Sequence, residues 1–145
     1  MDAGSLKLLH DLIAMGSTSL LQYVSESSPF SADAAHADVD GVKAAAREER
    51  DEAVRLTRFL QKKHERLAKS VSFPSDFTTM NFVTLEYLVP KLIAEHEREI
   101  AAVAPRIDQA GDEEIRALAE NHLAMKRRRL ETLKRLAQKK TPAAA

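Results

Sequence analysis

Four apolar patterns with helical spacing run along this chain, and they constrain its fold more than any other feature. In each pattern hydrophobic residues recur at three- and four-residue steps, the period of one face of an α-helix. The breaks between the patterns contain serine, proline or glycine, which end helices. The predicted helices cover about residues 5–26, 40–70, 79–107 and 112–138. The sequence therefore predicts an all-α protein, an antiparallel four-helix bundle in which residues 1–145 form one domain.

The composition agrees with a helical bundle and excludes several classes of site. Hydrophobic residues make up 44% of the chain, which has four glycines and no tryptophan, so the predicted core is mainly aliphatic. The absence of cysteine excludes disulfides, iron–sulfur clusters, thiolate zinc sites and a cysteine nucleophile. The sequence contains neither a glycine-rich nucleophile elbow nor a phosphate-binding loop. No catalytic residue is predicted, and the balance favours a protein that is not an enzyme.

Acidic and basic residues balance, with 22 of each, but they are unevenly placed. Residues 1–40 are mainly acidic and residues 126–140 mainly basic. A neutral total gives no general reason to expect nucleic acid or membrane as partner, whereas complementary regions suit pairing between subunits. We expect a homo-oligomer, with a dimer favoured. No secretory signal is recognised and no apolar run reaches the roughly 20 residues that span a bilayer, so a cytoplasmic location is expected.

Several acidic and histidine side chains lie on or beside the apolar faces of the predicted helices. Glu49 belongs to the stripe of the second helix, and Glu52 lies one turn further along the same face. Uncompensated buried carboxylates are costly, so they lose their charge or bind a cation. Carboxylates together with imidazole suit iron, manganese or zinc. The candidate metal ligands are Glu49, Glu52, Glu86, Glu120, His122 and His96.

This layout resembles the ferritin-like superfamily, which includes the bacterioferritins and rubrerythrins. Residues 20–23 (LLQY) are similar to the tyrosine end of the family's first-helix motif. Residues 49–52 (ERDE) and 120–123 (ENHL) are similar to its two Glu-x-x-His motifs, and Glu86 corresponds to the lone glutamate of its third helix. Seven residues before the tyrosine, where the family has its first-helix glutamate, this chain has Gly16.

The resemblance implies a ferritin-like bundle with a crossover near residues 71–79 and a degenerate di-iron site. Complete sites of this family oxidise iron or handle dioxygen and peroxides. Two functions stay open: an assembly or interaction module that has lost its metal, which is favoured, and a metal-binding protein with a reduced carboxylate site. A third option is anion or nucleic-acid binding through basic residues 126–140, with nucleic acid the less expected ligand.

Ordinary structural roles also explain these residues, and the sequence favours them. Salt bridges at i, i+3 and i+4 to neighbouring arginines would account for Glu49 and Glu52. His96 and His122 lie at similar distances from the turn between the third and fourth helices, so they could meet. They would then form a zinc site with a nearby glutamate or, as the favoured interpretation, a structural pair. Gly16 would permit close approach of two helices.

Overall fold

The computed structural model describes residues 1–27, 36–67, 73–75, 77 and 84–140, and the regular structure in these ranges is entirely helical. The helices are α1 (Ala3–Thr18), α2 (Leu20–Ser27), α3 (His36–Lys62), α4 (Leu85–Ile107) and α5 (Glu113–Lys140). α1 and α2 together correspond to the predicted first helix. Counted as one helix, they form a four-helix bundle with α3, α4 and α5. The predicted all-α fold class is confirmed.

The second predicted helix differs from α3 at both ends. It begins earlier, at His36, and ends at Lys62 rather than near residue 70. His64 follows with a φ of 57°, in the left-handed region that an α-helix cannot continue through. The last predicted residues, 68–70, lie outside the described part of the chain.

Side-chain caps fix where the last two helices begin. Thr84 accepts a hydrogen bond from the backbone N–H of Tyr87 at 3.1 Å, so α4 starts directly after it. Asp112 accepts one from the backbone N–H of Ile115, also at 3.1 Å, and α5 follows. The predicted helical residues 79–83 lie outside the described residues.

The core consists of two apolar clusters, each built by all four helices of the bundle. The first cluster comprises Leu8, Leu9, Leu12, Ile13, Leu56, Leu60, Val103, Ile107, Ala110, Ile115, Ala119 and Leu123. The second cluster comprises Leu20, Leu21, Val24, Val42, Ala46, Leu85, Leu88, Val89, Leu92 and Leu133. On every helix of the bundle, the residues between these two groups include buried polar side chains. Burial of the aliphatic side chains supplies most of the favourable free energy of folding.

The helices pass between the two clusters in a defined order. α1 with α2, and likewise α5, run from the first cluster to the second. α3 and α4 run from the second cluster to the first. The connection between α3 and α4 therefore joins opposite ends of the bundle, whereas α4 and α5 are joined by a short turn at one end.

Candidate functional site: a buried charged layer

A layer of polar and charged side chains crosses the bundle between the two apolar clusters. All four helices of the bundle contribute, because on each of them polar side chains lie between the residues of the two apolar clusters. The layer consists of Ser19, Gln22, Glu49, Glu52, Glu95, His96, Glu99, His122, Lys126 and Arg129. Charges at this depth must be neutralised or paired, so their contacts decide what the layer can do.

The ammonium group of Lys126 lies between two carboxylates of the layer. Its Nζ is 2.6 Å from Glu49 Oε2 and 2.6 Å from Glu99 Oε2, and the side chain is 1% exposed. Both contacts are ion pairs, and the contact with Glu49 is also a hydrogen bond. Burial alone would lower the pKa of Lys126, but the two carboxylates leave it raised. Burial alone would raise the pKa of Glu49, but Lys126 holds it below its usual value.

The predicted first helix is interrupted at Ser19, which contacts the same carboxylate. Ser19 is extended, with φ −69° and ψ 159°. Its hydroxyl donates a hydrogen bond to Glu49 Oε1 and accepts one from the backbone N–H of Gln22 at 3.1 Å. The side-chain amide of Gln22 also donates to Glu49 Oε1, at 3.1 Å. The structure differs here from the predicted continuous helix because the extended serine begins α2 and satisfies a buried carboxylate.

Glu95 and Glu99 are the least compensated carboxylates of the layer. Burial raises the pKa of Glu95 to about 7, and the charge of Glu99 adds to this effect. Both oxygens of Glu95 accept from the backbone N–H of Leu20, at 2.9 and 3.1 Å. Burial also raises the pKa of Glu99, although Lys126 opposes it. Near neutral pH Glu95 is therefore divided between its protonated and ionised forms.

His96 and His122 are buried in the layer as neutral imidazoles. Burial lowers the pKa of each to about 4, and the charge of Lys126 lowers it further. His96 Nδ1 lies 2.8 Å from the carbonyl oxygen of Leu92, which can only accept, so Nδ1 carries the proton. His96 Nε2 and both nitrogens of His122 have no hydrogen-bond partner among the described residues. The two rings are close enough that a charge on His96 would lower the pKa of His122.

Two members of the basic run at residues 126–129 lie inside the protein. Lys126 is buried as described, and the side chain of Arg129 is 4% exposed, whereas Arg128 is 71% exposed. Arg129 Nη1 lies 3.6 Å from Glu49 Oε2, and Nη2 lies 3.8 Å from Glu48 Oε1. Neither nitrogen donates a hydrogen bond to a residue that the structure describes. Within this run only Arg127 and Arg128 are exposed to solvent.

The predicted metal ligands lie in different environments. Glu49, Glu52, His96 and His122 lie in the charged layer. Glu52 is buried but paired with Arg55 three residues further along α3, as the salt-bridge interpretation predicts. Glu49 is paired with a lysine of α5 instead of a neighbouring arginine. The remaining two candidates, Glu86 and Glu120, are exposed on α4 and α5, away from the layer.

The predicted site could have held iron, manganese or zinc, and the described residues do not assemble ligands for such an ion. No group of three or more histidine, aspartate or glutamate side chains within those residues is arranged to hold a metal. The two carboxylates that come together, Glu49 and Glu99, face the ammonium of Lys126. The layer therefore carries its own cation.

Lys126 and Arg129 were predicted only as part of the basic run 126–140 and not as buried residues, although their spacing contains a signal. His122, Lys126, Arg129 and Leu133 follow one another at four-, three- and four-residue steps on α5. That spacing places all four on one helix face, and His122 and Leu133 had already marked that face as buried. Despite this position, their charge predicted that both side chains would be exposed, since lysine and arginine are rarely buried unless paired.

The close helix approach expected at Gly16 is confirmed. A Cβ at this position would lie 3.1 Å from the Cβ of Ala53 and 3.5 Å from the carbonyl oxygen of Glu49. α1 thus packs against α3 where Glu49 enters the layer. The absent side chain allows the helix contact and leaves no first-helix ligand at this position.

The fold and the layer define this protein as an all-α four-helix bundle with a buried lysine–carboxylate network. No family model, curated protein or solved structure matches the chain. Among the described residues, no helix is both long and apolar enough to cross a membrane.

Proposed function

We propose that this protein is a ferritin-like bundle that works without a metal in its core and serves as an assembly or interaction module rather than an enzyme. The observation that carries this function is the position of Lys126, with Nζ 2.6 Å from a carboxylate oxygen of both Glu49 and Glu99. A single ammonium supplies the positive charge that a metal ion would otherwise supply to these carboxylates. A divalent ion would have to displace it and would then face the nearby charge of Arg129.

The order of helix directions supports the ferritin-like part of this proposal. Ferritin-like bundles contain one long crossover connection, and the remaining connections are short. In this chain α3 and α4 run in the same direction between the two clusters, with residues 63–84 connecting them. This is the position of the crossover implied by the sequence resemblance.

The surface charges support an assembly role. Exposed basic residues of α5 include Arg128 and Lys134, and exposed acidic residues of α3 and α4 include Glu48 and Glu97. Pairs between these helices are long, at 3.7 Å for Arg128–Glu48 and 4.0 Å for Lys134–Glu97. Long exposed pairs contribute little within one chain, so these charges are available to a second subunit. We propose a dimer held partly by such contacts.

Metal analysis tests the metal-independent core. The protein, purified without a histidine tag from cells grown with iron, manganese and zinc, should contain far less than one metal ion per chain. Added Zn²⁺ or Mn²⁺ should leave its Tm unchanged. In Lys126→Ala the carboxylates of Glu49 and Glu99 lose their shared cation. Binding of the same ions between them should then stabilise the folded state and raise Tm.

Lys134→Ala is the matched control, because Lys134 is exposed and lies on the same helix. Its Tm should not respond to either ion. Stoichiometric metal in the wild-type protein, together with a metal-dependent rise in its Tm, would show that the core is a metal centre.

Sedimentation velocity at low and high salt tests the assembly role. A dimer at about 50 mM salt that dissociates by about 500 mM is expected, because screening weakens contacts between exposed charges. A monomer at both salt concentrations would contradict this part of the proposal.

A metal centre is the second candidate, and one observation favours it. His96 Nε2 and both nitrogens of His122 are buried without hydrogen-bond partners among the described residues. Neutral imidazole nitrogens bind Zn²⁺, iron and manganese. If such a centre forms, His122→Leu should abolish metal binding by the wild-type protein, whereas the metal-independent core predicts no binding to abolish.

A further inference from the structure

A groove runs between the first half of α3 and the second half of α5, on the side of the charged layer that faces the second apolar cluster. It contains two adjoining cavities of about 290 and 530 Å³. Both cavities contact Gly41 and Ala45 of α3 and Arg129 of α5. The smaller one is close to the lower limit of roughly 300 Å³ for small-molecule pockets. The groove is thus large enough for a small ligand.

The walls of the smaller cavity are mainly apolar. They include Leu21, Val42, Leu133 and Leu136, all from or packed against the second apolar cluster. Apolar walls with one or a few polar groups are the usual composition of a small-molecule site. The walls favour a ligand with a hydrocarbon or aromatic body.

Arg129 is the buried polar residue of these walls, which also include Asp38, Thr132 and Arg135. Its side chain is 4% exposed and borders both cavities. Its terminal nitrogens have carboxylate oxygens of Glu49 and Glu48 at 3.6 and 3.8 Å, which are ion-pair distances and too long for hydrogen bonds. Neither nitrogen has a hydrogen-bond partner among the described residues. A buried guanidinium with two free donors is costly, and a bound anion would remove that cost.

Carboxylate is the anion that fits this guanidinium and these walls. The two terminal nitrogens of an arginine match the two oxygens of a carboxylate in a planar, bidentate pair. Glu48 can leave the site when a ligand arrives, because its side chain is 54% exposed. A phosphate monoester carries more charge at neutral pH, and the fixed carboxylate of Glu49 nearby disfavours it.

We propose that the groove between α3 and α5 binds a monocarboxylic acid with an apolar body, its carboxylate on Arg129 and its body against Leu21, Val42 and Leu133. The terminal nitrogens of Arg129 have almost no exposed surface, so the walls of the groove separate slightly on binding. The site does not rest on the metal-free core or on a dimer, although Arg128 and Glu48 at the edge of its larger cavity are also among the proposed dimer contacts. Its failure would leave both of those proposals unchanged.

Sodium octanoate is the probe, compared with 1-octanol and octylammonium, which share its chain but not its charge. When octanoate is titrated into the protein, the methyl ¹H–¹³C signals of Leu21, Val42, Leu133 and Leu136 should shift. Octanoate should bind at least about tenfold more tightly than octanol, as expected for a charge-assisted hydrogen-bonded pair. Octylammonium should not bind at these methyl groups.

Substitutions of arginine separate this site from general surface charge. Arg129→Met should reduce octanoate affinity about tenfold or more, to the level of octanol. Arg127→Met is the matched control, because Arg127 is exposed on the same helix and borders neither cavity. Its affinity for octanoate should change less than twofold.

Gly41 offers a test that keeps Arg129 intact and is not expected to disturb folding. A Cβ at Gly41 would meet no atom of the described residues within 4 Å, and this position borders both cavities. Gly41→Leu should therefore fill the groove and abolish octanoate binding. Gly41→Ala, which gains the same helix propensity with little volume, should keep it.

Two results would overturn the proposed site. One is equal affinity for octanoate and octanol, which would mean adventitious binding to apolar surface only. The other is unchanged octanoate binding in Gly41→Leu. If circular dichroism shows that Arg129→Met does not fold, the comparison of Gly41→Leu with Gly41→Ala decides the question alone.

Discussion

Lys126 Nζ lies 2.6 Å from Glu49 Oε2, and with 1% and 0% of their side chains exposed the two residues join α5 to α3 where water does not reach. The free energy of such a pair is a difference between strong attraction and a large loss of hydration. The free energy of this buried pair therefore has a different origin from that of the exposed pairs on the same helices, in which little hydration is lost. Its effect on stability depends on which partner is removed, and on whether the other partner remains charged.

Removing the lysine alone should be strongly destabilising. Lys126→Met leaves Glu49 and Glu99 without their shared cation, and the free energy of unfolding should fall by about 3–5 kcal/mol. Lys126→Met combined with Glu49→Gln should recover part of this loss, since one of the two orphaned charges is gone. Urea denaturation measures both. A loss below about 1 kcal/mol, the value of an exposed pair, would show that the layer is hydrated.

Glu95 should make a pH-dependent contribution to stability. Its pKa is raised from 4.5 to about 7, chiefly by burial, so between these values the folded state binds more protons than the unfolded state. Its contribution to stability is present below pH 4.5 and is lost as the pH rises through 7. Glu95→Gln removes this loss, so relative to wild type its free energy of unfolding should gain about 2–3 kcal/mol from pH 4.5 to 7.5.

Glu97→Gln is the matched control for Glu95→Gln. Glu97 lies on the same helix and is 54% exposed. The difference in free energy of unfolding between this variant and wild type should be nearly constant from pH 4.5 to 7.5. An equally constant difference for Glu95→Gln would contradict the raised pKa of that residue.

His122 should have the opposite pH dependence. Its pKa is lowered from 6.5 to about 4 by burial and by Lys126, so the folded state binds fewer protons between these values. Stability from His122 is therefore lost as the pH falls from 6.5 towards 4. His122→Leu removes this loss, so relative to wild type it should gain about 2–3 kcal/mol at pH 4.5 compared with pH 7.

At neutral pH the same substitution should be tolerated. Both nitrogens of His122 lack hydrogen-bond partners among the described residues, so replacing the ring by an apolar side chain removes two unsatisfied groups. A change within about 1 kcal/mol of wild type in urea denaturation at pH 7 is expected. A loss above about 3 kcal/mol would indicate that the ring has a bound partner in solution.

Gly16 of α1 and Gly41 of α3 should respond differently to alanine. Gly41 has open space around it, so Gly41→Ala should stabilise the protein by about 0.5–1 kcal/mol through helix propensity. At Gly16 the same change brings a Cβ to 3.1 Å from Ala53 Cβ, and packing opposes the gain. Thermal denaturation should show a rise in Tm for Gly41→Ala and none for Gly16→Ala. Equal rises would mean that α1 and α3 pack less closely than described.

The helices and their buried faces could be predicted because helical periodicity is a local property of the sequence. Leu56 and Leu60 of α3 and Ile115 of α5 lie where their stripes predict. The break at Ser19 could not be predicted in this way. It depends on Glu49, thirty residues away in sequence, and on Glu95, seventy-five residues after Leu20.

The charged layer was only partly predictable for a related reason. Glu49 and His122 stood out because they interrupt apolar stripes, and both are buried. Glu86 and Glu120 were predicted to lie on or beside apolar faces and to match a family motif, but both are exposed on α4 and α5. The burial of Lys126 could not be predicted, because its own helix offers it no carboxylate within reach. Its partners come from α3 and α4, so only the assembled bundle shows why it is buried.

The position of the polar layer between two apolar clusters also determines the register of the helices. Moving α5 along its axis by one turn, about 5.4 Å, would withdraw Lys126 from Glu49 and Glu99 and bring Leu130 or His122 towards them. Two purely aliphatic halves would tolerate such a slip far better, since one leucine layer packs much like the next. The lysine and its carboxylates thus select a single alignment of α5 against α3 and α4, even if their net contribution to stability is small.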